Sequence, residues 1–305
     1  MSSKPLTFAL FGNVYQHEKS VAVCQVLQSL QERGARILIE EEYYDFLCCS
    51  GLLPMGGPSA IGPIATFSQG DFDADFALSM GGDGTLLKTA SMVGVRQTPI
   101  LGFNMGRLGF LADAGTRDVE TTLDALYQGD YRVEDRALIL VEVQGHGSAV
   151  IEGSPCALND VAILKRDTAS MISVRASIDG EYLTTYQADG LVVSTPTGST
   201  AYSLSNGGPI IVPRTGVLLL TAVAPHSLNI RPIVIPDSSV VELTVSSRSH
   251  TFLIAVDGQS SKMPEGTRVR LRRAPYVARV VKRAGASYFA TLREKMMWGA
   301  DNREK

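Results

Sequence analysis

Phe76-Ala77-Leu78-Ser79-Met80-Gly81-Gly82-Asp83-Gly84-Thr85-Leu86 is the stretch from which the rest of the chain is read. The run from Phe76 to Met80 has the character of a buried strand, the glycines break it, and Leu86 to Val93 continues as an apolar helix. A strand that turns directly into a helix puts the intervening residues at its carboxyl end, where α/β sheets bind ligands. Glycines there permit positive φ and close approach of backbone N–H groups to phosphate, and the helix start adds partial positive charge. Asp83 is the odd residue, because a carboxylate facing phosphate is unfavourable unless it binds Mg²⁺ or removes a proton. The competing reading is a plain helix cap, with Gly84 relaxing the turn.

Working outward, Leu6 to Phe11 reads as a strand, Gly12-Asn13 as a break, and Glu18 to Arg33 as a helix with Val21, Val23, Cys24, Leu27 and Leu30 at helical spacing. Gly34 stops that helix, Arg36 to Ile39 gives a second strand, and Glu41 to Cys49 another helix. Leu52 to Gly70, punctuated by Pro54, Pro58 and Pro63, is expected to be irregular, a mobile loop or short linker. Pro99 to Phe103 repeats the strand pattern and leads into a second glycine-bearing loop, Gly102-Phe103-Asn104-Met105-Gly106-Arg107-Leu108-Gly109-Phe110-Leu111. Strands alternating with helices imply βαβ units and a mainly parallel sheet.

After Asp135 the period changes to short β-rich runs: Leu138 to Val143, Asp160 to Leu164, Ser173 to Ile178, Leu191 to Ser194, Val240 to Val245, Phe252 to Val256 and Val269 to Leu271. Asp179-Gly180 and Asp257-Gly258 supply tight-hairpin chemistry between such runs. The expected architecture is therefore a Rossmann-like α/β domain over residues 1–135 and an all-β sandwich over 136–285. A C-terminal helix within 286–305 is expected to fold back onto the first domain, with Phe289, Leu292, Met296 and Met297 on one face.

A formal net charge of -3 with 19% charged residues leaves no basic footprint for nucleic acid. No apolar run approaches the roughly 20 residues of a membrane span, and the apolar stretch ending at Gly12 is too short for a signal-peptide core. A soluble cytoplasmic protein is expected. Cys24, Cys48, Cys49 and Cys156 have neither C-x-x-C spacing nor a nearby histidine pair, so free thiols are expected rather than zinc or disulfides. There is no G-x-x-x-x-G-K-[ST] motif and no G-x-G-x-x-G followed by an acid about 20 residues on.

Ser194-Thr195-Pro196-Thr197-Gly198-Ser199-Thr200-Ala201-Tyr202-Ser203 concentrates hydroxyls and small side chains after a strand. It can offer donors to ribose or phosphate, with Tyr202 available to stack on a base, or it is an ordinary hydroxyl-capped turn. Asn159-Asp160 can grip a diol or be a turn. His226 follows an apolar run, where a structural role is the plainer account, whereas His17, His146 and His250 sit in solvated contexts. Lys88, Arg107, Lys165, Arg166 and Arg175 are scattered candidates for phosphate, with solvated surface the plainer account of each.

Taken together, from Phe76 to about Gln259 the chain resembles the NAD kinase family. Gly81-Gly82-Asp83-Gly84-Thr85 is similar to a signature shared with diacylglycerol, sphingosine and phosphofructokinases. Asn104-x-Gly106-x-Leu108-Gly109-Phe110-Leu111, Asn159-Asp160, Asp189-Gly190 and the Thr195 to Ser203 string match the remaining motifs in order, joined by Pro225-His226, Arg231-Pro232 and Asp257-Gly258-Gln259. The resemblance implies phosphorylation of the adenosine-ribose 2′-hydroxyl of NAD by ATP, with a divalent metal, Mg²⁺ or Mn²⁺, whose ligands are unassigned. It implies Asp83 as base in the Gly84 turn, and Asn159, Asp160, Thr200, Ala201, Tyr202 and Ser205 as NAD-holding residues with Phe110, Leu111 and Gln259 nearby. It also implies a homodimer or homotetramer in which Asp189, Ala224 and His226 act across a subunit boundary. Two alternatives stay open: a lipid kinase of the same superfamily, which should lack the Asn159-Asp160 pair, and a catalytically silent nucleotide-binding regulator, which needs no acid at Asp83.

Overall fold

The computed structural model describes residues 5–14, 20–53, 64–68, 70–106, 109–112, 114–145, 150–167 and 170–297. His17, Pro54, Pro58, Pro63, Arg107, Leu108 and His146, all named above, lie outside the described residues, as do Thr168, Ala169 and Trp298. The chain divides into two compact units, Met1–Asp135 with Ala278–Lys305, and Arg136–Val277.

In the first unit the strands run in the order Ile64–Phe67, Arg36–Glu40, Thr7–Gly12, Phe76–Gly81, Ile100–Asn104, every neighbouring pair parallel. The end of strand Arg268–Arg283 adds beside Ile100, also parallel, through Val280. Parallel strands buried on both faces need continuous apolar runs, and Phe76–Gly81 and Ile100–Asn104 are buried throughout. Helix Ser20–Glu32 contributes Val26, Leu27 and Leu30, and helix Val119–Gln128 contributes Leu123 and Leu126, to the cluster that also holds Phe8, Leu10, Leu78 and Phe103. Strand order reverses between Thr7–Gly12 and Phe76–Gly81, the position at which an open parallel sheet forms a ligand crevice.

One expectation is overturned here. Ile64–Phe67 is a strand, not loop or linker, because it pairs parallel with Arg36–Glu40 and buries Phe67 against Phe11 and Phe72. A β-branched and aromatic run between turn residues outweighed the surrounding glycine and proline.

In the second unit a six-stranded sheet runs Ile233–Pro236, Val217–Val223, Gly190–Ser194, Asp160–Lys165, Thr251–Val256, Gln259–Pro264, antiparallel throughout. A second set orders Glu181–Ala188, Ile172–Ile178, Val241–Ser246 and the start of Arg268–Arg283. Inward residues of both sets, among them Val161, Ile163, Val174, Leu191, Val193, Leu243, Val245 and Ile254, form one core, so the unit is a β-sandwich. The strict alternation of Val241–Ser246 between buried and exposed shows the half-solvated face of that second set. Asp179 and Gly180 at φ 52° and 84°, and Asp257 and Gly258 at 47° and 86°, make the left-handed pairs that type I′ hairpins require.

The C-terminal helix, Tyr288–Met296, belongs to the first unit, but its inward stripe is not the expected one. Leu292 is buried, whereas Phe289 and Met297 are 55% and 67% exposed and Met296 is also exposed. The contacting stripe is Tyr288, Leu292, Lys295, at spacing i, i+4, i+7, with Tyr288 beside Phe110.

Candidate active site

Helix Asp83–Val93 starts at the carboxyl end of Phe76–Gly81, and Gly82 stands at its N-cap without a side-chain cap bond. Asp83 is therefore not the cap. Its carboxylate instead accepts hydrogen bonds from three backbone N–H groups of the second glycine loop: Phe110 to Oδ2 at 2.8 Å, Leu111 to Oδ1 at 3.0 Å and Ala112 to Oδ1 at 3.1 Å. A Cβ on Gly109 would overlap Oδ1, so the close approach of that loop to Asp83 demands glycine there. Lys282, a buried lysine on the last strand, donates to the Leu111 carbonyl at 2.9 Å and holds the same loop from its other side. Lys295 reaches Asp83 Oδ2 at 3.5 Å and lies over the Phe110 ring, 4.5 Å from its centroid.

The glycines of the first loop work by space rather than by φ. Gly81, Gly82 and Gly84 are absent from the positive-φ positions among the described residues, so the conformational freedom expected of them is not used. A Cβ on Gly81 would overlap Thr85, whereas nothing lies within 4 Å of one on Gly82 or Gly84. The first N–H groups of a helix have no intrahelical acceptor, and here they face a surface that two missing side chains leave clear.

In the second unit the register of the six-stranded sheet sorts the remaining residues. Asp160 pairs with Ser194, while Leu164 pairs with Gly190 and Gly190 with Val223. Asn159, Asp160 and the Ser194 to Ser205 segment thus share one sheet end, with the Asp257 hairpin and Gln259 beside them. Asp189, Ala224 and His226 fall at the opposite end, roughly 13 Å away at about 3.3 Å per residue. There Asp189 pairs with Lys165 at 2.7 Å, Ala224 takes φ 44°, and the His226 N–H donates to the Gln187 carbonyl at 2.8 Å.

Around Asp160 the backbone is fixed by a second carboxylate. Asp257 accepts from the N–H groups of Leu158, Asn159 and Asp160 at 2.7, 2.8 and 3.1 Å. The left-handed Asp257 of the hairpin is what aims its side chain back at them, a role that turn chemistry alone does not reveal. Thr195 closes the other side, donating to the Leu158 carbonyl at 2.6 Å and accepting from the Gly198 N–H at 3.1 Å. A Cβ on Gly198 would overlap the Asn159 carbonyl. Asp160 itself is 7% exposed, and burial, with Asp257 close by, pushes its carboxyl up to about 7 against the opposing hydrogen bond from the Tyr202 N–H. Burial likewise raises Asp257. Thr200, Ala201, Tyr202 and Ser205 lie on the 3₁₀ turn Gly198–Thr200 and the short helix that follows, with Tyr202 and Ser205 exposed.

Comparison with known proteins fits both halves. Residues 64–131 match the ATP-NAD kinase N-terminal domain and residues 158–283 the ATP-NAD kinase C-terminal domain. A Bacteroides fragilis NAD kinase is 50% identical over 98% of this chain and 100% of its own length. The chain belongs to the NAD kinase family. A Porphyromonas gingivalis NAD kinase is 43% identical over 96% of this chain and 98% of its own. In fold, the chain is similar to yeast NADH kinase complexed with NADH, with a TM-score of 0.87, 24% identity, and coverage of 99% of this chain and 91% of that one. It is also similar to an NAD kinase from Archaeoglobus fulgidus in complex with ATP, at a TM-score of 0.71, 24% identity, and coverage of 96% and 99%.

Membership in the NAD kinase family makes this a kinase, and its glycine loops and sandwich strands are the family's. Of the long-range anchors, Lys282 and Lys295 leave no trace in sequence beyond a basic side chain next to an apolar run. Thr195 and Asp257 fall in segments that match family motifs, but nothing in sequence shows which backbone groups they hold. Among the described residues no helix is long and apolar enough to cross a membrane.

Proposed function

We propose that this chain transfers the γ-phosphoryl group of ATP to the 2′-hydroxyl of the adenosine ribose of NAD, giving NADP and ADP. The observation that carries this reading is full-length likeness, at 50% identity, to a relative named NAD kinase. In the step itself the 2′-hydroxyl oxygen bonds to the γ-phosphorus, the bond from that phosphorus to the ADP oxygen breaks, and the hydroxyl proton passes to Asp83. Positioning and charge neutralisation supply most of the acceleration in such transfers.

The site residues divide this work. Asp83 is the base, at Oδ2, where one backbone N–H and the distant Lys295 leave acceptor capacity; Oδ1 is engaged by two amides. Gly84 leaves room for phosphate, and Phe110 and Leu111 border the nucleotide. Asn159 and Asp160 hold the ribose diol, a carboxylate accepting two hydroxyls and an amide both donating and accepting. Thr200, Ala201, Tyr202, Ser205 and Gln259 complete the NAD pocket. A divalent metal, Mg²⁺ or Mn²⁺, would neutralise the phosphates. Among the described residues no His/Cys/Asp/Glu group forms a protein cage for one. A hard cation of this kind is commonly bound through one or two carboxylates together with substrate phosphates, and Asp83 is the carboxylate that would serve.

Asp189, Ala224 and His226 are assigned to the pocket of a neighbouring subunit, so the active form is at least a dimer, working in the cytoplasm. Their position at the sheet end away from Asp160 supports that assignment. The decisive assay mixes purified protein with ATP, Mg²⁺ and NAD and reads product with an NADP-specific dehydrogenase. NADP formation dependent on all three is expected; its absence with folded protein would overturn the reading.

A further inference from the structure

Among the described residues of the first unit, one cation touches Asp83. Lys295, on the C-terminal helix, places Nζ 3.5 Å from Oδ2 and 4.5 Å from the centre of the Phe110 ring, and Phe110 donates its own N–H to that same oxygen. The helix is fixed where this contact requires it. Ser287 caps its start through the Ala290 N–H, Leu292 is buried, the Tyr288 ring lies tilted beside that of Phe110, and Arg132 donates to the Ala286 carbonyl at 2.7 Å just upstream. Lys295 is one turn beyond Leu292, so the backbone is held while the side chain, 32% exposed, keeps its freedom.

At 3.5 Å the ammonium is at the outer limit of a hydrogen bond, in a geometry set by charge and by the aromatic face rather than by a tight donor-acceptor fit. Oδ1 is fully occupied by amides, and the side-chain-free surface over Gly82 and Gly84 lies on the helix that Asp83 begins. A triphosphate arriving at that surface meets the negative charge of Asp83 unless a cation offsets it. Lysine is suited to this as a compact point charge on a flexible stem.

We propose that Lys295 is a substrate-binding residue of the kinase: its ammonium rests on Asp83 in the free enzyme and moves to the terminal phosphate oxygens of the triphosphate donor. The move exposes Oδ2 of Asp83 as donor binds, so donor binding prepares the base. This rests on the NAD kinase reading for the role of Asp83, but the donor contact is testable without turnover.

The experiment measures equilibrium binding of ATP with Mg²⁺, and separately of NAD, to wild type, Lys295→Met and Lys295→Arg by calorimetry, with steady-state kinetics on the same preparations. Lys295→Met should weaken ATP binding about tenfold or more, the usual scale for losing a charge-assisted contact. NAD affinity should stay within about twofold, and Lys295→Arg should recover most of the ATP affinity. Unchanged ATP affinity in Lys295→Met would overturn the proposal. So would a parallel fall in ATP affinity, NAD affinity and melting temperature, which marks a merely structural lysine. If wild type binds ATP but makes no NADP, the NAD kinase reading fails while the ATP titrations still decide the fate of Lys295.

Discussion

At the residue scale, Asp160 and Asp83 are carboxylates in opposite circumstances. Asp160 is buried with its carboxyl pushed up to about 7, so the folded protein holds a proton there that the unfolded chain, near 3.8, releases. Between those values the native state binds more protons than the unfolded one, so this group lowers stability as pH rises from about 4 to about 7, and the cost is then constant. Asp160→Asn should therefore gain stability relative to wild type across that window, by an amount on the order of a few kcal/mol at pH 8. Melting curves at pH 5 and 8 check this. The same variant should weaken NAD binding by roughly 1 to 3 kcal/mol, and wild-type NAD affinity should rise with pH through about 7 as the diol-accepting carboxylate forms.

Asp83→Asn is a less simple substitution than its shape suggests. Whichever way the amide turns, its NH₂ faces the Phe110 N–H or those of Leu111 and Ala112. It should lower kcat by roughly 10²-fold to 10⁴-fold with NAD affinity near wild type, and also loosen the Gly109 loop. Denaturant titration separates the two effects, and turnover within a few-fold of wild type would remove Asp83 from the chemistry. Gly84→Ala makes the opposite control. With no atom within 4 Å of the new Cβ, it should raise stability by about 0.5 to 1 kcal/mol through helix propensity. The KM for ATP should rise if phosphate needs the vacant surface, and an unchanged KM would place the donor elsewhere.

At the element scale, each half is organised by one loop pinned by an aspartate through three backbone N–H groups, Asp83 on residues 110–112 and Asp257 on residues 158–160. Gly198→Ala, pressing on the Asn159 carbonyl, should displace the second of these loops, costing about 1 to 3 kcal/mol. NAD affinity should fall with it, and ATP affinity should not. Sequence reads such elements unevenly. The Asp-Gly hairpins and the strand-glycine-helix turn at Phe76 to Val93 are legible because their determinants are adjacent residues. The pinning by Asp257, Lys282 and Lys295 is not, because each acts on a segment far away in the chain. The C-terminal helix misleads for a related reason. Periodicity finds Phe289, Leu292 and Met296 on a common face, but the stripe that packs is chosen by what it meets, here Phe110 and Asp83.

At the scale of the whole molecule, Asp160 and Asp189 mark opposite ends of one sheet, yet both are assigned to NAD. If one pocket draws them from two subunits, Asp160→Ala and Asp189→Ala homo-oligomers should each be impaired. Co-assembly of the two variants should then restore up to about a quarter of wild-type activity, because a mixed dimer has one pocket with both carboxylates intact and random pairing makes half the dimers mixed. No recovery on mixing, or a fully active monomer in sedimentation at assay concentration, would argue that each chain works alone.

The strand Arg268–Arg283 leaves one unit and finishes in the other, and Val280, Val281 and Lys282 are among its buried residues there. During synthesis the ribosome therefore releases the Asp83 segment long before the strand that supports residue 111 exists. Through the whole elongation of the sandwich, the α/β half must wait with the edge at Ile100 uncovered and the Leu111 carbonyl without Lys282. The nascent chain should thus gain protease resistance in its β half first, and acquire nucleotide-binding competence only as the final residues emerge.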